Sequence, residues 1–461
     1  MHKVPKILCL ATMALFLLVM LQERRQIISM RELKGAYTVT DLPRPAFRTL
    51  ADGSWQREAE KYLRANHGFH EAAIRLYNQY AWSLFHQSTN VQVMVGGDGY
   101  LYERYFVEDF HESRMYKYTE SPEELLAKFD REASRLAKLQ AILAEAGTTI
   151  FVAILPGKDQ IYPEYVPRPD SYFKGRTPGP RAIEAYPPLF DRYGIHHTNV
   201  CQWFKDLRGV APFPLMTKQG THWSNIASVY AFDSIMRFMQ SAGGAHIPAV
   251  TVGAPYYADT REPDNDLAEL LNLIRTPRGP RNQYADVALA EPAGDSANRP
   301  GMIVIGDSFF WNVSYNFPLD SLFRYCYYWF YNNTAYFDPQ HDNVSQYDLA
   351  ATLLDADYVM LSYCSGQLYD LGNEFVSQAL VRLCYDECDI QAVRDSLAHN
   401  VNADPAWRQQ IADKAAAQGI SFDEALRTDC DYLIFTNPES YFPELAADTV
   451  PARRCSLFRK H

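Results

Sequence analysis

Met302-Ile303-Val304-Ile305-Gly306-Asp307-Ser308-Phe309-Phe310 decides how the rest of this chain is read. Four apolar residues run into Gly-Asp-Ser and then into two aromatics. An unbroken apolar run rich in β-branched residues and closed by glycine predicts a buried strand. Gly306 permits a sharp turn, which places Ser308 at the carboxyl end of that strand, where a helix can begin. Open α/β sheets carry their chemistry at that end. A serine there exposes its hydroxyl beside free backbone N–H groups that can hold an oxyanion. The same residues also suit an ordinary strand-to-helix turn with serine as the N-cap. Catalysis therefore needs a base from elsewhere in the chain.

Outward from this stretch, helix and strand signals alternate. Ser121-Pro122-Glu123-Glu124 combines a cap, a proline at the first helical position and a reciprocal glutamate. The helix it starts runs to about Ala146, with Gly147 closing it. Thr148 to Leu155 follows as a buried strand, and this helix-then-strand order suggests a crossover unit of a parallel sheet. Asp357 to Leu361 reads as another buried strand. Val91 to Val95 and Tyr100 to Tyr102, separated by Gly96-Gly97-Asp98-Gly99, read as a hairpin. Ser224 looks like the cap of a helix from about Asn225 to Gln240, stopped by Gly243-Gly244, and His222 lies in the loop before it. Residues 245–300 are polar and rich in Pro and Gly, with few element signals. The expected domains are 1–25, 26–90 (a helical lead-in), 91–388 (the α/β domain) and 389–461, a small C-terminal helical module with a basic tail.

Composition bounds the function. The 461 residues are 47% apolar and 21% charged with a formal charge of −11, and no Lys/Arg-rich tract stands out, so nucleic acid is not an expected partner. Ile7 to Leu21 is uncharged and follows Lys3 and Lys6. No small-x-small cleavage site follows it, so residues 1–25 read as an uncleaved signal anchor, with the rest of the chain on the exported side of a membrane. Basic residues on the two flanks nearly balance and do not set orientation. Cys201, Cys326, Cys364, Cys384, Cys388, Cys430 and Cys455 lie outside the anchor, an odd number with no metal-ligand spacing, and no metal or other cofactor is expected.

Four segments in order resemble one family. Val93 to Tyr102, Pro156-Gly157-Lys158 with Ile161-Tyr162-Pro163-Glu164, Thr221-His222-Trp223-Ser224, and Gly306-Asp307-Ser308-Phe309 are similar to blocks of the AlgX/AlgJ family of polysaccharide O-acetyltransferases, themselves similar to SGNH hydrolases. The resemblance implies an SGNH hydrolase-like three-layer domain with a mostly parallel central sheet, in a permuted order that puts the histidine before the Gly-Asp-Ser. It implies Ser308 as nucleophile and His222 as general base, an acetyl-serine intermediate and a polysaccharide hydroxyl as acceptor. A membrane-bound O-acyltransferase partner and a periplasmic, inner-membrane-anchored location come with it. Chemically, serine is a poor nucleophile without a neighbouring imidazole. The Ser308 N–H can donate to the oxyanion, and a glycine N–H or an asparagine side chain usually completes the hole.

One position departs from the family pattern. An aspartate normally stands two residues before the histidine, and here that residue is Gly220. That aspartate orients the imidazole, and its loss from a triad costs about 10⁴ in rate. Another carboxylate can take the role, with Asp264 and Asp266 as candidates; a Ser–His dyad can act slowly; or the site binds glycan without catalysis. An acetyl esterase of the same fold, or a non-catalytic scaffold subunit of an export complex, are the other classes. Lys158 lines the site or is a solvated loop lysine, and Asp307 orients the turn or takes part in the chemistry. Trp223, Tyr328 and Trp329 are the aromatics expected to stack on sugar, unless they pack in the core.

Overall fold

The computed structural model describes residues 3–35, 41–111, 120–168, 179–277, 281–292 and 294–447; Cys455 and the basic tail lie outside them. The chain forms two compact units, residues 1–104 with 218–221 and 260–280, and residues 105–217 with 222–259 and 281–461.

The first unit begins with the helix Lys3–Arg25, whose segment Pro5–Arg25 has a mean hydropathy of 1.9 and is long and apolar enough to cross a membrane. Its apolar side chains, Ile7, Leu10, Phe16 and Met20 among them, are exposed, as suits a helix apolar on every face. Helices Ser54–Asn66 and His70–Phe85 follow. Strands β1 (Val93–Val95) and β2 (Leu101–Glu103) pair antiparallel, and Asp98 and Gly99 take positive φ in the turn between them. Val93 and Leu101 pack on Leu267, Leu271 and Leu273 from the 260–280 segment. Arg75 donates to the carbonyls of Arg31 and Glu32, and Asn78 Nδ2 donates to the Leu271 carbonyl at 2.9 Å. The 218–221 segment is held by the Leu101 N–H on Lys218 O (2.8 Å) and the Ala268 N–H on Gln219 O (3.0 Å).

The second unit is built on β3 (Thr149–Leu155), β4 (His197–Asn199), β9 (Gly301–Gly306), β10 (Tyr325–Phe330), β11 (Thr334–Tyr336) and β12 (Tyr358–Cys364), in the spatial order β11-β10-β9-β12-β3-β4. All neighbours are parallel except β11, which runs antiparallel to β10. Every residue of β9 and β12 is buried, the pattern of parallel strands covered on both faces. Phe151 and Tyr328 face the helices Asn225–Gly243 and Phe310–Asn316 through Phe238 and Phe310. Trp329 packs on Phe375 of the helix Phe375–Cys384 on the opposite face.

Chain direction reverses at the centre of this sheet. From β3 the chain steps outward to β4, from β9 it steps the other way to β10, and β12 returns to fill the place between β3 and β9. The carboxyl ends of these strands therefore meet at a topological switch point, the ordinary place for a site in an open α/β sheet.

Local signals explain the surrounding helices. Helix Pro122–Ala146 has the full capping box at Ser121 and Glu124 and ends on Gly147 at φ 85°. Helix Asn225–Gly243 starts on the Ser224 cap and runs three residues past the expected end, because Gly244, not Gly243, takes the left-handed conformation. The C-terminal helices Glu387–Ala403, Pro405–Gln418 and Phe422–Thr436 lie within the second unit, and Ile390, Val401, Ile411 and Ile434 share its core. Residues 245–300, expected to hold few elements, contain β5 (Val250–Val252), β6 (Tyr256–Ala258), β7 (Asn282–Tyr284) and β8 (Val287–Leu289), which pair β5 with β8 and β6 with β7. Three-residue strands are too short to show an alternating pattern in sequence.

Candidate active site

β9 ends at Gly306, where the neighbouring backbone comes very close. A side-chain Cβ there would overlap the Ser362 carbonyl oxygen of β12 and stand 3.0 Å from Ser362 Cβ. Glycine is required for this approach rather than for an unusual dihedral angle. Asp307 then ties the turn down. Its N–H donates to Ser362 O (3.1 Å), and its buried carboxylate accepts from the N–H groups of Cys364 (2.6 Å) and Phe309 (3.0 Å). Burial pushes the Asp307 carboxyl above its ordinary pKa, against the lowering pull of the Cys364 and Phe309 donors and of the nearby His222. The Tyr328 hydroxyl donates to Asp307 O at 2.6 Å. Asp307 thus shapes the turn.

Ser308 follows, half-buried, and it is not a helix cap: the helix Phe310–Asn316 has Phe309 at its N-cap position with no side-chain bond. The Ser308 hydroxyl instead meets His222, with Oγ and Nε2 2.8 Å apart. The His222 ring sits 4.8 Å from that of Phe309 and is largely buried. When Nε2 is the unprotonated nitrogen, it accepts the hydroxyl hydrogen, the geometry a general base requires.

Two reciprocal hydrogen bonds join the histidine loop to the serine turn. The Trp223 indole N–H donates to Phe309 O (3.2 Å), and Asn312 Nδ2 donates to Trp223 O (3.4 Å). Trp223 also bridges Met216. The expectation that Trp223, Tyr328 and Trp329 stack on sugar is corrected: all three side chains are fully buried. Trp223 is a brace between the histidine loop and the serine turn. Tyr328 and Trp329 lie on a strand covered on both faces, so each alternating side chain meets protein.

Asp266 begins the short helix Asp266–Leu270 in the first unit, and its Oδ1 accepts from the N–H of Thr221 (2.7 Å) and of Leu267 (2.8 Å). It therefore anchors the residue immediately before His222 in the chain. Asp264 is buried in the turn after Arg261. Lys158 opens the short helix Lys158–Ile161 after β3 and is buried, so it is not a solvated loop lysine.

Sequence reading missed Asp159. It is fully buried, with one carboxylate oxygen where a Cβ at residue 157 would strike it and the other accepting from Gln160. Burial, then the negative charge of Asp109, push its carboxyl up to about 7, against a smaller pull from Gln160 and Arg181. Nothing in Pro-Gly-Lys-Asp announces a buried acid, because its partner lies fifty residues upstream (159 − 109). Between about pH 4 and 7 the folded chain keeps a proton that the unfolded chain gives up, so this group's contribution to stability falls as pH rises through that window. Asp159→Asn is expected to raise the thermal midpoint at pH 8, by the equivalent of about 1–3 kcal/mol, and to leave it little changed near pH 4. An equal effect at both pH values, measured by scanning calorimetry, contradicts this.

No group of three or more His, Cys, Asp or Glu among the described residues could hold a metal ion. Cys9, Cys201, Cys326, Cys388 and Cys430 are free thiols.

Residues 93–322 match the family described as "SGNH hydrolase-like domain, acetyltransferase AlgX". This chain belongs to the AlgX/AlgJ-like family. Its fold is accordingly SGNH hydrolase-like, with a mixed, mostly parallel sheet, a helical C-terminal region and an N-terminal helix. Among solved structures, the O-acetyltransferase domain of Pseudomonas putida AlgJ is 15% identical at a TM-score of 0.39, over 62% of this chain and 98% of that one. Pseudomonas aeruginosa AlgX is 11% identical at 0.37, over 62% and 65%. Bacillus cereus PatB1 is 12% identical at 0.36, over 60% and 96%. No curated protein matches the chain.

Proposed function

We propose that this protein transfers acetyl groups to hydroxyls of a cell-envelope or secreted polysaccharide, with Ser308 as nucleophile and His222 as general base. The observation that carries the reading is the 2.8 Å approach of Ser308 Oγ to His222 Nε2 at the switch point of the sheet. The Ser308 oxygen attacks the carbonyl carbon of an acetyl donor while Nε2 takes its proton. The tetrahedral intermediate collapses as the leaving oxygen takes that proton back, and acetyl-Ser308 remains. A sugar hydroxyl then gives its proton to Nε2 and attacks the acetyl carbonyl, and Ser308 leaves with the proton restored. The Ser308 N–H supports the oxyanion in both halves.

Asp264 and Asp266 are the carboxylates to test for the orienting role that Gly220 cannot supply, by asparagine substitution and a pH–rate profile. The apolar helix Pro5–Arg25 serves as the membrane anchor in this reading. It keeps the rest of the chain on the periplasmic side, where a membrane-bound O-acyltransferase partner supplies the acetyl group.

The test supplies the purified protein with an acetyl ester and an oligosaccharide and weighs the products. An acetylated oligosaccharide that requires both Ser308 and His222 supports transfer. Acetate alone identifies an esterase, and no turnover of any acetyl ester overturns the catalytic reading.

A further inference from the structure

A cavity of about 730 Å³ lies in the second unit, within the roughly 300–1,000 Å³ typical of ligand pockets. It opens beside the turn Tyr331–Asn333, which joins β10 to β11, and it is walled by the start of the helix Leu349–Asp355 and by the helices Phe375–Cys384, Glu387–Ala403 and Phe422–Thr436. These helices lie on the Trp329 side of the sheet, opposite the helix that follows Ser308. The turn is nevertheless one strand from the nucleophile, because the Tyr331 N–H donates to Gly306 O at 2.9 Å.

The lining is chemically specific. Asn332, Asn343 and Gln378 supply planar amides, Ser345 a hydroxyl, and Tyr347 an aromatic ring. Asn332 is held at φ 52°, and its Nδ2 donates to Asn373 O and Gln378 Oε1, while its Oδ1 is buried without a hydrogen-bond partner among the described residues. A buried acceptor left alone costs about 1–3 kcal/mol. Gln378 spends its oxygen on Asn332 and keeps its NH₂ as a donor.

The charges at this site are already matched. Arg382 pairs with Glu387 (2.6 Å), and Arg394 with Glu387 and Asp431 (both 2.5 Å). Arg427 lies 4.0 Å from Asp431. Asp348 and Asp386 cap helices. Among the described residues each arginine at this site has a carboxylate within 4.0 Å, whereas amides, hydroxyl and ring suit a polyol that is polar on its edges and apolar on its faces.

We propose that this cavity binds a neutral oligosaccharide segment of the acceptor polymer, away from the residue being acetylated. Its biological sense rests on the acetyl-transfer reading above, but its binding does not.

The experiment titrates the full chain, wild type and Ser308→Ala, with cellohexaose, mannohexaose, a hexamer of N-acetylglucosamine and hexamannuronate, by calorimetry. At least one neutral hexamer is expected to bind both chains at least tenfold more tightly than hexamannuronate. Gln378→Leu and Ser345→Trp, which remove an amide and fill the mouth, are each expected to weaken that binding tenfold or more at an unchanged melting temperature. Should Gln378→Leu fail to fold, Ser345→Trp, at an exposed turn position, decides. Binding to no neutral hexamer, a preference for hexamannuronate, or binding indifferent to the folded variants overturns the proposal. A chain that binds but shows no Ser308-dependent acetyl transfer keeps the pocket and loses the function; one that transfers acetyl with binding indifferent to both variants loses the pocket alone.

Discussion

Ser308→Ala is expected to lower the turnover of a small acetyl ester by at least about 10³-fold. Its hydroxyl meets the imidazole at 2.8 Å, and alanine leaves the backbone free to keep its place. The Asp307 carboxylate still holds Phe309 and Cys364, so the variant should fold as the parent does. His222→Ala should cost a similar factor, and the double variant little more than either single one, because the two groups act as a unit. Initial rates with p-nitrophenyl acetate, after an active-site titration of the parent, decide this. If the single losses multiply in the double variant, or Ser308→Ala retains a tenth of the parent's rate, Ser308 and His222 are not a nucleophile and its base.

Gly306→Ala is expected to have the largest effect on stability, a loss of about 3 kcal/mol or more. The added methyl would strike the Ser362 carbonyl of β12, which belongs to the backbone and cannot swing aside. Relief requires β9 and β12 to separate, and those two strands form the buried centre of the sheet. The same shift would pull Cys364 from Asp307 and misplace Ser308, so activity should fall along with the thermal midpoint. A midpoint within about 2 °C of the parent's, with full activity, would falsify this account of the glycine.

Both predictions depend on features that differed in how openly the chain displayed them. The β9 strand was plain in sequence because a buried parallel strand is apolar at every position, and Met302 to Ile305 has no interruption. The caps at Ser121 and Ser224 were equally plain, since capping is a local interaction between residues three apart. The Ser308–His222 contact joins residues 86 positions apart. Composition and spacing could only nominate its two ends, and the family likeness paired them. The tract around Tyr328 and Trp329 misled for a physical reason: aromatic residues on a strand covered by helices on both faces are core, and the sequence does not say how many faces are covered. Asp159 gave no sign, because burial beside Asp109 is a tertiary property. The strands of residues 250–289 were hidden by their brevity.

The route of the chain through the first unit has a consequence for how this protein could change over generations. After residue 104 the chain comes back to that unit twice, at 218–221 and at 260–280, and Leu267, Leu271 and Leu273 find their cover on Val93 and Leu101. The amino-terminal part is therefore not a cassette. A recombination event that exchanged residues 1–104 for another leader would strip the cover from three leucines and remove the Leu101 donor from the peptide at Lys218, four positions before His222. Inheritance of residues 1–104 and of the loop that carries His222 is thereby linked, and a gene fusion that swaps one without the other leaves that loop without its tether at Lys218.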